Sequence, residues 1–174
     1  MSDNGINRRF WQTRLETDEA TRLLGGKIAK TIQPGDCIAL RGNLGSGKTV
    51  LARGLIRNFC DNQELSVSSP SYSLVQPYES PTGIPLWHFD LYRMKHRQEV
   101  FEAGFDDELN VGITLIEWPE ILGDWLPPEH LNIELQILEH PIRLVTFEMP
   151  ESWVQRLATV LPSAEFTETV YDPH

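Results

Sequence analysis

Apolar residues along this chain recur with two different spacings. Ala20, Leu23 or Leu24, Ile28 and Ile32 lie three to four apart, and so do Leu51, Leu55 and Phe59; both sets mark one face of a helix. Thr17 can cap the first helix, and Asp18 and Glu19 put negative charge in its first turn. Pro34-Gly35-Asp36 stops it and turns the chain into Cys37-Ile38-Ala39-Leu40, a short apolar run that reads as a buried strand. Ile84–Leu91 and Gly112–Ile116 are two further strand candidates. Between these elements, 65–75 looks extended but is interrupted by Ser68-Ser69-Pro70-Ser71, Ser80–Gly83 is a turn, and 92–103 reads as a charged helix. In the last third, Leu131, Ile133, Leu135 and Ile137 alternate with polar residues, as do Val145, Phe147 and Met149. Pro141 separates the two runs, which predicts a hairpin with one buried face. The expectation is an α/β, three-layer domain with a central, mostly parallel sheet and a C-terminal antiparallel β hairpin. It spans residues 15–160, with residues 1–14 disordered and 161–174 a mobile acidic tail.

At 174 residues the chain suits one domain with a substantial core. The start has no apolar stretch of signal-peptide type, and no run is long enough to cross a membrane. Cys37 and Cys60 are the only cysteines and read as small apolar residues inside core elements. The expectation is a soluble cytoplasmic protein. Fifteen Lys and Arg against 25 Asp and Glu give a formal net charge of −10. Affinity for nucleic acid comes mainly from cationic contacts to phosphate, so this chain is not expected to bind DNA, or to hold RNA except through a partner.

The residues Gly42-Asn43-Leu44-Gly45-Ser46-Gly47-Lys48-Thr49 fit the phosphate-loop pattern G-x-x-x-x-G-K-[ST] at every fixed position. The glycines let the backbone turn its N–H groups inward, Lys48 brings positive charge to the β- and γ-phosphates, and Thr49 offers a hydroxyl to magnesium. A strand precedes the loop and a helix follows it, so the helix N-terminus also faces the anion. These features predict a phosphate-loop nucleoside triphosphatase fold that binds a triphosphate. The guanine-reading Asn-Lys-x-Asp motif is absent, which leaves ATP as the expected nucleotide.

Hydrolysis needs a second metal anchor and an oriented water. Glu117 follows an apolar strand directly, as a Walker B acid does, and is the candidate magnesium anchor with Thr49. Asp90 also closes a strand; it can hold magnesium through water, position the attacking water or orient the loop. Strand alternation places His88, Asp90 and Tyr92 on one face, with His88 an orienting or packing residue. Arg93 fits a transition-state cation or a surface ion pair equally. The Ser69–Ser73 segment fits a loop that senses the γ-phosphate, or a plain polar loop. No zinc-type His/Cys spacing and no nucleophile elbow occur.

The phosphate loop, Ser69-Pro70-Ser71-Tyr72-Ser73-Leu74-Val75, His88-Phe89-Asp90-Leu91-Tyr92-Arg93 and Ile116-Glu117-Trp118-Pro119 occur in that order, and with them the chain resembles the TsaE (YjeE/YdiB) family. That family supplies the ATPase component of bacterial tRNA threonylcarbamoyladenosine biosynthesis. The resemblance runs from about Leu15 to about Met149. It implies catalytic duty for Lys48, Asp90 and Glu117, and magnesium on Thr49 and Glu117. Leu44, Gly45, Ser46, Gly47, Lys48 and Thr49 would wrap the phosphates, Ser69–Tyr72 would form a switch-like loop, and Asp18 would lie on the base side near Thr21. Asn43 stands where the family often has Asp, and Ser71 and Ser73 where it often has Thr; each exchange keeps a polar group. The implied cofactors are ATP and Mg2+. The implied partners are a two-subunit threonylcarbamoyl transferase pair of the TsaB and TsaD type, which carries the tRNA and modifies the adenosine 3′ of the anticodon in tRNAs reading A-starting codons. The ATPase resets that pair between turnovers. Two other classes share the loop: a small-molecule kinase, which needs an acceptor pocket and an Arg-rich lid, and a nucleotide-gated adaptor, which needs neither Asp90 nor Glu117.

Overall fold

The computed structural model describes residues 8–106, 111–162 and 166–169. Its frame is one eight-stranded sheet: β1 (Arg8–Leu15), β2 (Cys37–Arg41), β3 (Val75–Glu79), β4 (Pro85–Asp90), β5 (Ile113–Glu117), β6 (Leu131–Glu139), β7 (Ile142–Pro150) and β8 (Thr167–Thr169). The helices are α1 (Asp18–Ala29), α2 (Lys48–Phe59), α3 (Arg97–Glu102) and α4 (Glu151–Leu157). Across the sheet the order is β3-β4-β5-β2-β6-β7-β1-β8. The central strands β4, β5, β2 and β6 are mutually parallel, and the remaining pairings are antiparallel. The expected α/β class, parallel centre and C-terminal hairpin (β6–β7) are all present.

Alternation along the strands divides the core into two layers, one on each sheet face. Ile38 and Leu40 of β2 and Ile113 and Leu115 of β5 pack with Leu24 and Ile28 of α1, Leu51 and Leu55 of α2 and Trp153 of α4. Cys37, Ala39, Phe89 and Ile116 face the opposite side and pack with Val100, Phe105 and Leu122. Helix α1 begins as its sequence predicts, with the Thr17 side chain accepting from the Ala20 N–H at 3.0 Å. α1 and α2 then touch backbone to backbone. A Cβ on Gly54 would collide with the Arg22 carbonyl, and one on Gly25 would stand 2.8 Å from the Leu55 nitrogen.

Four local expectations are corrected. Residues 8–14, expected to be disordered, form most of β1, which pairs with β7 along its whole length from Arg8↔Pro150 to Leu15↔Arg143. Trp11 and Leu15 pack against the core, so a short alternating run was hidden among polar neighbours. Within the expected mobile tail, 167–169 add a strand to β1, and Phe166 meets Trp11 and Phe147 with ring centroids 5.9 Å and 5.6 Å apart. Residues 1–7, 163–165 and 170–174 lie outside the described residues. The folded unit is therefore wider than 15–160. The charged stretch from Tyr92 forms a helix only over Arg97–Glu102, because the Tyr92 N–H donates to Asp90 Oδ1 at 2.9 Å and the chain turns first. The 65–75 segment enters a strand only at Val75; before it the chain turns, with the Leu74 N–H on the Pro70 carbonyl at 2.8 Å.

Candidate functional site

The parallel strands present their C-terminal ends at one edge, where open α/β sheets bind ligands. β2 runs into the glycine loop there, flanked by β5 and β6. Gly47 caps α2 with φ at 105°, a left-handed conformation that glycine accepts without strain. No side chain caps the first turn of α2, which leaves its amides available to a ligand. The cleft has a volume of about 530 Å3. Leu44, Gly45, Gly47, Lys48, Thr49, Asp18, Asp90 and Glu117 all line it. Of the expected binding and catalytic residues only Ser46 stays off the wall. It is fully buried behind the loop, with its N–H on the Asn43 carbonyl at 3.0 Å.

Lys48 is buried, and its ammonium donates to the carbonyls of Gly42 (2.6 Å) and Asn43 (3.0 Å) while resting 3.9 Å from the centre of the Trp118 ring. Burial lowers its pKa from the ordinary value; the negative charges of Glu117, Glu120 and Asp90 oppose that shift. Thr49 Oγ1 donates to the Glu117 carboxylate, 2.9 Å from Oε2 and 3.2 Å from Oε1. Glu117 ends β5 and is 2 % exposed, so its carboxylate is almost removed from water. His88 Nε2 lies 2.9 Å from Glu117 Oε1. In the parallel register Asp90 of β4 stands opposite Glu117. Asp90 Oδ2 accepts from the hydroxyls of Ser69 and Ser71, the latter at 3.0 Å, while Oδ1 takes the Tyr92 N–H. The Ser69–Ser71 segment is thus tied directly to Asp90.

Arg93 is not brought into the cleft. It is exposed and stacks on the Tyr72 ring at 4.2 Å, pointing to the surface alternative rather than a transition-state cation. Arg143 is a cleft residue that the sequence reading missed. It is 3 % exposed, and its guanidinium donates to the Ser46 carbonyl at 2.8 Å and lies 3.7 Å from Asp18. A signal was available: Arg143 shares strand parity with the buried Val145, Phe147 and Met149, and an arginine in a core-facing position needs a polar partner.

The donor set suits magnesium. No group of three or more His, Cys, Asp or Glu able to hold a metal occurs among the described residues. Magnesium coordinated by substrate phosphates and water needs only one or two protein oxygens, and Thr49 and Glu117 offer them side by side. The cleft's cations, Lys48 and Arg143, are outnumbered by Asp18, Asp90 and Glu117. A polyphosphate there would add negative charge that a divalent cation offsets.

The parallel strand, the left-handed glycine loop and the helix that starts at Lys48 define an α/β protein of the phosphate-loop class. The comparisons narrow the class. The family described as "Threonylcarbamoyl adenosine biosynthesis protein TsaE" matches residues 15–144. The chain belongs to the TsaE family. It is 36% identical over 130 residues to the tRNA threonylcarbamoyladenosine biosynthesis protein TsaE of Rickettsia felis, covering 75% of each chain. It is 31% identical over 140 residues to that of Bacillus subtilis, covering 79% of this chain and 83% of the relative. The crystal structure of Bacillus subtilis YdiB superposes with a TM-score of 0.64 at 26% identity, covering 88% of this chain and 93% of that one. The biological setting is therefore tRNA threonylcarbamoyladenosine biosynthesis. No helix among the described residues is long and apolar enough to cross a membrane.

Proposed function

We propose that the chain binds ATP with magnesium in this cleft and hydrolyses it to reset a threonylcarbamoyl transferase pair of the TsaB and TsaD type in the cytoplasm. The observation that carries the reading is the convergence of Lys48, Thr49, Glu117 and Asp90 on one strand edge around the glycine loop. The loop amides and the start of α2 receive the phosphates, with Lys48 exchanging two carbonyl acceptors for phosphate oxygens. Bound magnesium, held by Thr49 and Glu117, would offset charge on the β- and γ-phosphates. Asp90 accepts three hydrogen bonds that orient it, which suits positioning of the attacking water. Because two of its donors are Ser69 and Ser71, the same carboxylate can couple the γ-phosphate to the 69–73 loop. Asp18, which lines the cleft 3.7 Å from the Arg143 guanidinium, would lie on the base side. Leu44 and Tyr92 on the cleft lining, and Tyr72 next to the cleft-lining Ser71, are exposed large side chains, and they favour a partner protein closing over the cleft.

The kinase reading is weaker. Arg97, a candidate lid arginine, is engaged with Asp124 at 3.1 Å and stacked on Trp125, and Arg93 is stacked on Tyr72. The test is magnesium-dependent ATP hydrolysis by the purified chain with its partners. Lys48→Ala should cut the rate about 100–1,000-fold, the effect of losing one preorganised charged group. Near-normal turnover by that variant would exclude the phosphate-loop mechanism, and phosphorylation of a metabolite would favour the kinase.

A further inference from the structure

His88 is fully buried. One of its ring nitrogens, Nε2, sits 2.9 Å from Glu117 Oε1, and the other, Nδ1, has no hydrogen-bond partner. β4 fixes this placement. His88 lies opposite Leu115 in the parallel register, two residues before the Asp90↔Glu117 pair, so alternation puts its ring on the same face as the carboxylate. An ionised carboxylate only accepts, so Nε2 carries the proton. The ring meets one carboxylate oxygen, Oε1, through Nε2. The Thr49 hydroxyl stands nearer the other, Oε2.

We propose that His88 is a positioning residue for the magnesium site: its Nε2–H holds Oε1 and so fixes the Glu117 carboxylate with Oε2 beside the Thr49 hydroxyl, the pair that would hold magnesium. This rests on Glu117 anchoring magnesium. Carboxylate ligands need such outer hydrogen bonds to fix their orientation, and here the donor is supplied from the strand that also carries Asp90. A space-filling role requires only volume, whereas the positioning role requires a donor where Nε2 stands. Glutamine places an amide NH2 near that position. Asparagine places it near Nδ1, and methionine supplies comparable volume with no donor.

The experiment titrates Mg2+ into the full chain with bound ADP, read by tryptophan fluorescence, for wild type, H88Q, H88N and H88M. ADP affinity in EDTA and thermal stability are measured alongside. H88N and H88M should weaken Mg2+ binding about 10–100-fold while magnesium-free ADP binding holds, and H88Q should stay within about threefold of wild type. Wild-type Mg2+ affinity in H88M, or a loss in folded H88Q equal to that in H88M, overturns the proposal. If H88N does not fold, the comparison of H88M with H88Q still decides. An absence of any Mg2+ effect on the wild-type complex would instead overturn the underlying magnesium assignment.

Discussion

At the scale of single residues, the cleft separates its two buried carboxylates by their partners. Glu117 receives a hydroxyl from the very threonine expected on magnesium, while Asp90 receives the serine loop. Glu117→Ala should therefore weaken magnesium-dependent nucleotide binding, and Asp90→Ala should slow hydrolysis by about 100-fold or more with binding kept. Titrations of magnesium and ATP against each variant, followed by Trp118 fluorescence, check the division. Equal magnesium defects in both variants would merge the two roles. Lys48 allows a prediction about pH. Burial lowers its pKa in the folded chain from the ordinary 10.5, so the unfolded chain holds the proton more tightly. Folded-state stability then rises with pH across the interval below 10.5 and is lowest where Lys48 is fully charged. In urea unfolding without nucleotide, wild type should gain stability relative to Lys48→Met as the pH rises toward 10.5. A difference that shrinks over that range would contradict the burial penalty.

At the scale of elements, the close packing of α1 on α2 sets where the cleft's walls stand, because α1 carries Asp18 and α2 begins at Lys48. Gly54→Ala puts a methyl into the Arg22 carbonyl, backbone that cannot swing aside. Destabilisation of about 1–3 kcal/mol is expected, as for other overpacked contacts, with weaker nucleotide binding; denaturant unfolding gives the first and an ADP titration the second. What could be read from sequence follows the strength of local signals. The phosphate loop, its strand and its helix were legible because each has a period or a fixed residue type that one segment displays by itself. The β6–β7 hairpin was legible because one face is buried and alternation shows it. β1 was not, because its partner β7 is more than a hundred residues away and only Trp11, Thr13 and Leu15 mark the inner face. The 69–73 loop takes its shape from Asp90, a contact that no local pattern encodes. Arg143 was missed for the same reason, since its acceptors belong to a loop on the other side of the sequence.

At the scale of the whole molecule, the family match at 15–144 contains the cleft, whereas most of β1 and all of α4 and β8 lie beyond it. The added strands extend the antiparallel side of the sheet, and the ligand edge is formed by the parallel centre. A net charge of −10 gives the chain little electrostatic attraction for RNA, although the pathway it serves modifies tRNA. Those two facts are reconciled if the polymer is held by partners and this chain contributes its nucleotide cycle. The protein alone should then bind tRNA weakly, with no measurable retention at physiological salt. With the chain omitted, the transferase pair should give a burst of modified tRNA of about one product per transferase and then stall. Adding wild-type chain and ATP should restore repeated turnover, and Lys48→Ala should not, because it leaves the exposed side chains Leu44, Tyr72 and Tyr92 intact while removing the ammonium that would meet the phosphates. Steady turnover without this chain, or full rescue by Lys48→Ala, would show that its ATP cycle is not what resets the transferase.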